Sequence, residues 1–236
     1  AEDEIAAVCA AIGASYAGAL GVTGTSGPGM ALKTEALGLA VAVELPLVVI
    51  DVQRAGPSTG MPTKTEQSDL FQAVFGRNGD TPLVVLAAAT PSDGFAIARE
   101  AVRLAVRHMT PVILLADAFL ANAAEPWRIP ELSAEPDFPV RFHTSREDFR
   151  PYRRDARGVR PWVVPGTPGL AHRISGLERD FETGAISYDP VNHARMTAAR
   201  RAKILAVADD IPPAALEQGD PDDRLVLVGW GSTYGP

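Results

Sequence analysis

Leu47-Val48-Val49-Ile50-Asp51-Val52, then Arg54, then Gly56-Pro57-Ser58-Thr59-Gly60-Met61-Pro62-Thr63-Lys64-Thr65-Glu66-Gln67-Ser68-Asp69-Leu70: this stretch decides how the rest of the chain is read. Its first six residues are rich in β-branched side chains and bounded by turn formers, the pattern of a strand buried on both faces. A Gly/Pro/Ser/Thr loop follows, with one cation at its mouth. Open α/β sheets bind ligands in such loops, at the carboxyl ends of parallel strands. Arg54 would draw a small anion there. A surface connection with a solvated arginine is the competing reading of the same residues.

Outward from this unit, strands and helices alternate. Residues 4–18 follow a helical pattern, but Ala6, Ala7, Ala10, Ala11, Gly13, Ala14, Ala17 and Gly18 are all small. Such a helix buries too little apolar area to hold itself on a sheet, which predicts tight packing against another subunit or a cofactor, over more than about 1,000 Å². Gly21-Val22-Thr23 predicts a short strand, Gly24–Gly29 a turn, and 30–43 a helix. A third helix is expected over Thr65–Phe75, with Thr65 as N-cap and Glu66 and Asp69 in its first turn. Leu83–Leu86 and Pro111–Ala116 read as strands, with a helix over Pro91–His108 between them. Together these imply a parallel sheet covered on both faces. Arg99, Arg103 and Arg107, spaced at i, i+4 and i+8, read as a solvated stripe.

The alternation stops near Leu120. Residues 126–190 are rich in Pro, Gly, Arg and aromatics, and a segment of that length is either functional or packed onto a neighbour. Arg146, Arg150, Arg153, Arg154, Arg157 and Arg160 are interleaved with Glu147, Asp148 and Asp155, which favours a mixed-charge surface over an anion site. Residues 189–208 are expected to be helical, and Leu225–Trp230 to begin a new strand. The expected organisation is a first domain over 1–125, an irregular aromatic- and Arg-rich linker ending in a helix over 126–220, and the start of a further α/β domain over 221–236. Both termini read as cut from a longer subunit.

Composition narrows the function classes. A net charge of -7 and a pI near 5.1 argue against a nucleic-acid surface. No apolar run approaches 18 residues, so no transmembrane helix is expected, and a cytoplasmic location is the default. The single cysteine, Cys9, excludes an internal disulfide and reads as a small buried core residue. Gly24–Gly29 could cradle a phosphate or a pyrimidine-type ring between strand and helix, but it is neither Gly-x-Gly-x-x-Gly nor a Walker loop. His108, His143, His172 and His193 lack metal-ligand spacing, and no Gly-x-Ser-x-Gly elbow occurs.

Four segments together carry a resemblance. They are Ala1–Ala7, Thr25-Ser26-Gly27-Pro28-Gly29, Asp51–Gln67, and Phe75-Gly76-Arg77-Asn78-Gly79. From Glu4 to about Pro130 the chain resembles the pyrimidine-binding domain of the thiamine diphosphate-dependent 2-oxoacid:ferredoxin oxidoreductases, and more narrowly the α subunits of the 2-oxoglutarate members. Glu125–Pro130, Ile186–Pro190 and Gly229–Pro236 also fit, while 131–180 fit weakly. The long central motif is specific; the Gly-rich turn alone is not.

The resemblance implies an α/β fold: a parallel-sheet, Rossmann-like pyrimidine-binding domain with a long irregular extension. It implies that Glu4 is the catalytic glutamate contacting N1′ of the aminopyrimidine, where a carboxyl in an apolar site would have a raised pKa and could exchange a proton. From the residues alone, Glu4 is a first-turn helix acid favoured by the dipole. Arg54 falls on the arginine that binds the substrate carboxylate, a role suited to a bidentate guanidinium. Thr63 matches a polar residue of the substrate pocket or the CoA side, and Thr25, Ser26 and Gly27 match the cofactor-binding turn. Lys64 could reach a distal carboxylate, though an exposed lysine is the plainer reading.

Three departures limit what the chain does alone. The family's Tyr-Pro-Ile-Thr-Pro strand would precede residue 1, no Gly-Asp-Gly diphosphate motif occurs, and no cysteine cluster is present. A β subunit is therefore expected to supply Mg²⁺, the diphosphate site and a [4Fe–4S] cluster, in an α₂β₂ assembly with ferredoxin as acceptor. The implied reaction converts 2-oxoglutarate and CoA to succinyl-CoA and CO₂. Pyruvate or a branched 2-oxoacid as substrate, and a non-catalytic Rossmann-like assembly module, are the alternatives.

Overall fold

The computed structural model describes residues 1–131, 133 and 138–235. Four parallel strands, β1 (Gly21–Thr25), β2 (Leu47–Gln53), β3 (Val84–Ala87) and β4 (Pro111–Asp117), form one sheet in the order β1-β2-β4-β3. The register sets Thr25 beside Asp51 and Gln53 beside Asp117, so the carboxyl ends of β1, β2 and β4 lie together. The helices are α1 (Glu4–Tyr16), α2 (Gly27–Val43), α3 (Leu70–Phe75), α4 (Asp93–His108), α5 (Ala118–Asn122) and α6 (Pro190–Leu205).

Side-chain parity along β2 divides the core. Leu47 and Val49 join Val8, Ile12, Met30, Leu37, Ile113 and Leu115 on one face. Val48 joins Leu104, Ala105, Val112 and Val207 on the other. The sheet is thus covered on both faces, as the alternation predicts.

Helix α2 begins at Gly27, three residues ahead of the expected start, because β1 runs on to Thr25 and Pro28 fits the first helical turn. Helix α3 is shorter than expected. Thr65 is not its N-cap; that position is Asp69. Residues 65–68 close the loop instead, since the Glu66 carboxylate accepts from the Gly56 amide at 2.8 Å and from Ser68 Oγ at 3.2 Å.

One face of helix α1 packs on its own chain, while Ile5, Ala6, Cys9 and Ala10 stay exposed. Its small residues let the backbone approach β1 so closely that a Cβ on Gly21 would stand 2.1 Å from the Ala11 carbonyl. Val8, Ala11 and Ile12 are buried by this contact. Cys9 lies on the opposite face and is exposed, not buried as expected.

The irregular segment folds back onto the same domain. Trp162 Nε1 donates to the Ser15 carbonyl at 3.1 Å, and Tyr152 is fully buried. The arginine cluster divides, which corrects the expected mixed-charge surface. Arg153 and Arg157 pair with Asp148 and Asp155 near the surface. Arg154 and Arg160 are drawn inside to the end of α2: Arg160 Nε donates to the carbonyls of Val43 and Glu44, and Arg154 meets the Glu44 carboxylate. The stripe on α4 is not merely solvated either, since Arg107 grips the Asp210 carboxylate at 2.6 and 3.0 Å and Arg103 donates to the Asp210 carbonyl at 2.9 Å.

Residues 225–230 do not form the expected strand. Extended backbone becomes a strand only with a ladder partner, and Leu227 and Val228 remain 88% and 91% exposed. No helix among the described residues is long and apolar enough to cross a membrane.

Candidate functional site

The site is built where β1, β2 and β4 end. Asp3 caps α1 by accepting the Ala6 amide at 2.7 Å, which fixes Glu4 as the first helical residue. Lys33, fully buried on α2, donates from Nζ to the Glu4 carbonyl at 3.0 Å. Burial pulls the Lys33 ammonium below its ordinary pKa, while Glu4 and Asp3 oppose that shift. The lysine thereby pins the start of α1 to α2.

The Glu4 side chain reaches over the first turn of α2. A Cβ on Gly29 would stand 2.8 Å from Glu4 Cγ, 3.3 Å from Glu4 Oε1 and 2.1 Å from Thr25 Oγ1. Glycine suits this position because the side chains of Glu4 and Thr25 occupy the space a Cβ would need. The N-cap of α2, Ser26, makes no side-chain cap bond, so the helix presents first-turn amides and its positive dipole end beside Glu4. The structure brings together Glu4, Thr25 and the Ser26–Gly29 turn.

Arg54 directly follows β2. Its Nε is buried and has no acceptor among the described residues. A buried guanidinium N–H without an acceptor can donate to a ligand oxygen. The loop beyond it is held by its own backbone: Ala55 donates to the Lys64 carbonyl and Met61 to the Ala55 carbonyl, each at 2.9 Å. Gly60 adopts φ 52°, and a Cβ there would fall 1.9 Å from the Ala55 oxygen. Thr63 and Lys64 are exposed on this loop, away from the buried groups.

Sequence reasoning missed a set of buried polar residues beneath the loop. Gln53 donates to the Ala116 carbonyl and accepts the Asp69 amide, both at 3.0 Å. Asp51 and Asp69 face each other, and both are buried. Gln67 Nε2 reaches Asp117 Oδ2 at 3.3 Å and Ser232 Oγ at 3.2 Å, tying the loop to β4 and to the 231–234 turn. The available signal was Asp51 itself, a carboxylate inside an apolar strand with the same parity as Leu47 and Val49.

Other polar features lie elsewhere. A cavity of about 1090 Å³ sits between α4 and the irregular segment, where Arg103, Arg107, Arg153 and Arg157 are already held by acids. The histidines are dispersed: His108 meets Asp210, His193 meets Glu178, and His143 and His172 pack on Phe149.

Proteins of known family resemble the chain throughout. The family described as pyruvate flavodoxin/ferredoxin oxidoreductase, thiamine diphosphate-binding, matches residues 1–186. The 2-oxoglutarate oxidoreductase subunit KorA of Mycobacterium tuberculosis is 58% identical over 239 residues, covering 100% of this chain and 36% of the relative. The 2-oxoglutarate synthase subunit KorA of Archaeoglobus fulgidus is 35% identical, over 99% of this chain and 59% of its own length. Among solved structures, a 2-oxoglutarate:ferredoxin oxidoreductase from Magnetococcus marinus with 2-oxoglutarate, coenzyme A and succinyl-CoA bound superposes with a TM-score of 0.92 at 39% identity, covering 99% of this chain and 41% of that one. The chain therefore spans about a third of the length of the M. tuberculosis relative.

Proposed function

The chain belongs to the pyruvate flavodoxin/ferredoxin oxidoreductase family through its thiamine diphosphate-binding region, and from that premise we propose that it is the α-subunit part of a 2-oxoglutarate:ferredoxin oxidoreductase. The reaction is oxidative decarboxylation of 2-oxoglutarate with CoA to succinyl-CoA and CO₂, with electrons passed to ferredoxin. The observation that carries the reading is Arg54, whose buried, unpartnered Nε stands ready for the carboxylate of a 2-oxoacid.

The residues present fit thiamine diphosphate. Gly29 leaves the space in which Glu4 and Thr25 meet, and the uncapped start of α2 offers backbone amides beside them. Thr25, Ser26 and Gly27 would hold the aminopyrimidine, with Glu4 at its N1′. When bound, the cofactor supplies the electron sink for decarboxylation. Glu4 would hold or give up a proton through its carboxyl group, which stands beside Thr25 and Gly29. Lys33 keeps Glu4 in register from behind, through the Glu4 carbonyl. Arg54 anchors the carboxylate so that the keto carbon is presented in one orientation. Thr63, exposed on the loop, would meet the substrate or CoA from the solvent side.

Mg²⁺, the diphosphate site and a [4Fe–4S] cluster would belong to a β subunit, as the family resemblance implies. An α₂β₂ enzyme in the cytoplasm is the corresponding assembly. Its first domain would end near residue 125, and residues 221–236 would lead into a further one.

The test is direct. The full-length protein, made with its β subunit, should reduce a viologen dye with 2-oxoglutarate and CoA, more efficiently than with pyruvate. No CoA-dependent reduction with any 2-oxoacid would reject the reading; a preference for pyruvate would change the substrate alone.

A further inference from the structure

Asp51 is 0% exposed, and neither of its carboxyl oxygens meets an N–H or O–H donor among the described residues. Its neighbour Asp69 is 8% exposed, with Oδ2 equally unpartnered. Asp69 occupies the N-cap of α3, where an aspartate ordinarily accepts first-turn amides, yet it makes no such bond. Its carboxylate is turned inward to the start of α2, where a Cβ on Gly27 would stand 2.7 and 2.8 Å from its two oxygens. Meanwhile its amide donates to Gln53. Thus Asp69 gives up a cap in order to meet a second buried carboxyl group.

Two bare carboxylates do not sit side by side out of water; the pair keeps one proton. Burial, and next the charge of Asp69, push Asp51 up to about 8. Burial also raises Asp69, with Glu66 adding to the effect. At neutral pH the Asp51 hydroxyl therefore donates to the Asp69 carboxylate. The other charged groups near this turn are Glu66, whose carboxylate accepts from the Gly56 amide and Ser68 Oγ, Glu4, whose side chain lies over Gly29, and Lys33, which holds the Glu4 carbonyl. Arg54 begins the loop that Asp69 ends.

We propose that Asp51 and Asp69 are a positioning pair, a carboxyl–carboxylate clasp that fastens the far end of loop 54–68 to β2 and to the first turn of α2, and so fixes Arg54 relative to Glu4. The proposal rests on Arg54 being the 2-oxoacid anchor. Two apolar side chains would fill the same space without desolvating a charge, so the carboxyl pair serves the geometry of the loop rather than bulk stability.

The experiment compares wild type with Asp69→Asn, Asp69→Ala and Asp51→Asn in the full-length protein assembled with its β subunit, between pH 6 and 9.5. In wild type the KM for 2-oxoglutarate should climb as pH passes about 8, with kcat little moved. Asp69→Asn keeps a donor facing Asp51 at every pH and should remove that climb. Asp69→Ala should raise KM about tenfold across the range, the size expected from one lost charged hydrogen bond. An Asp69→Asn profile that still follows wild type, or a normal KM in Asp69→Ala, overturns the proposal. A readout independent of turnover is the melting temperature: Asp51 is raised in the fold, so its contribution is full below the ordinary carboxylate range and lost as pH rises to about 8. Wild type should lose stability relative to Asp51→Asn across that window. A constant difference overturns the shared proton even if the enzyme proves to use no 2-oxoacid.

Discussion

The amide of Asp69 donates to Gln53 Oε1 at 3.0 Å, joining the last residue of β2 to the residue that closes the Arg54–Ser68 loop. The same Gln53 side chain donates to the Ala116 carbonyl on β4. One buried amide therefore joins two strands and the loop. Gln53→Leu would remove the side-chain partner of the buried Asp69 amide and of the half-buried Ala116 carbonyl, a loss of about 1–3 kcal/mol, chiefly from the amide. The expected result is a lower melting temperature together with new protease cleavage between residues 54 and 68. Unchanged protease resistance would show that the loop is held by something else.

Gly29 is where the side chain proposed as catalytic, Glu4, is packed against the start of α2. Gly29→Ala suits the helix, since alanine is favoured over glycine by up to about 1 kcal/mol in a helix interior. Its methyl group, however, would collide with Thr25 Oγ1 and Glu4 Cγ. The variant should fold and melt near wild type yet lose decarboxylation, because Glu4 is displaced from its place beside Thr25. Glu4→Gln should behave alike in the same assay, folded but slower by orders of magnitude, since the amide cannot exchange the proton. Normal turnover in both variants would remove Glu4 from the reaction.

Arg54→Ala tests the anion site. Removing a charge-assisted contact to a carboxylate costs about 2–3 kcal/mol, a factor of about 30 to 150. The loss should fall on KM for the 2-oxoacid more than on kcat, as for an anchor used alike in ground and transition states. Steady-state kinetics with 2-oxoglutarate decides this, and an unchanged KM would place the substrate elsewhere.

The sheet was legible because each strand is a short β-branched run between turn formers, and α4 because its polar and apolar faces separate cleanly. Helix α1 gave no such direction. With almost every side chain small, the sequence does not say which face is inward, and Cys9 could be assigned to either. Leu225–Val228 has strand composition, but composition cannot supply the neighbour that a ladder requires. In the candidate site, Glu4 and Arg54 were nameable through their motif, whereas the Asp51–Asp69 pair was not. Those two residues lie 18 positions apart, and only the closure of the loop onto β2 brings their carboxyl groups together.

Glu44 shows the same limit on the opposite end of α2, and it yields a prediction about pH. It terminates α2 in the left-handed conformation, at φ 50°, and is 1% exposed. Lys203 Nζ donates to its carboxylate at 2.6 Å and Arg154 meets its other oxygen. Burial alone would raise its pKa, but the charges of Lys203, Arg154 and Arg160 together overcome that and hold it down at about 2. A depressed folded-state value means that the stabilisation is present above the unfolded value near 4.5 and is lost as pH falls towards about 2. The span corresponds to about 3 kcal/mol. Glu44→Gln should melt lower than wild type at pH 7, and the gap should narrow steadily on acidification below pH 4.5. Glu44→Ala should be worse, by about 3–5 kcal/mol, because it leaves two buried cations uncompensated. A gap that stays constant from pH 7 to pH 3 would mean that Glu44 holds the irregular segment by shape and not by charge.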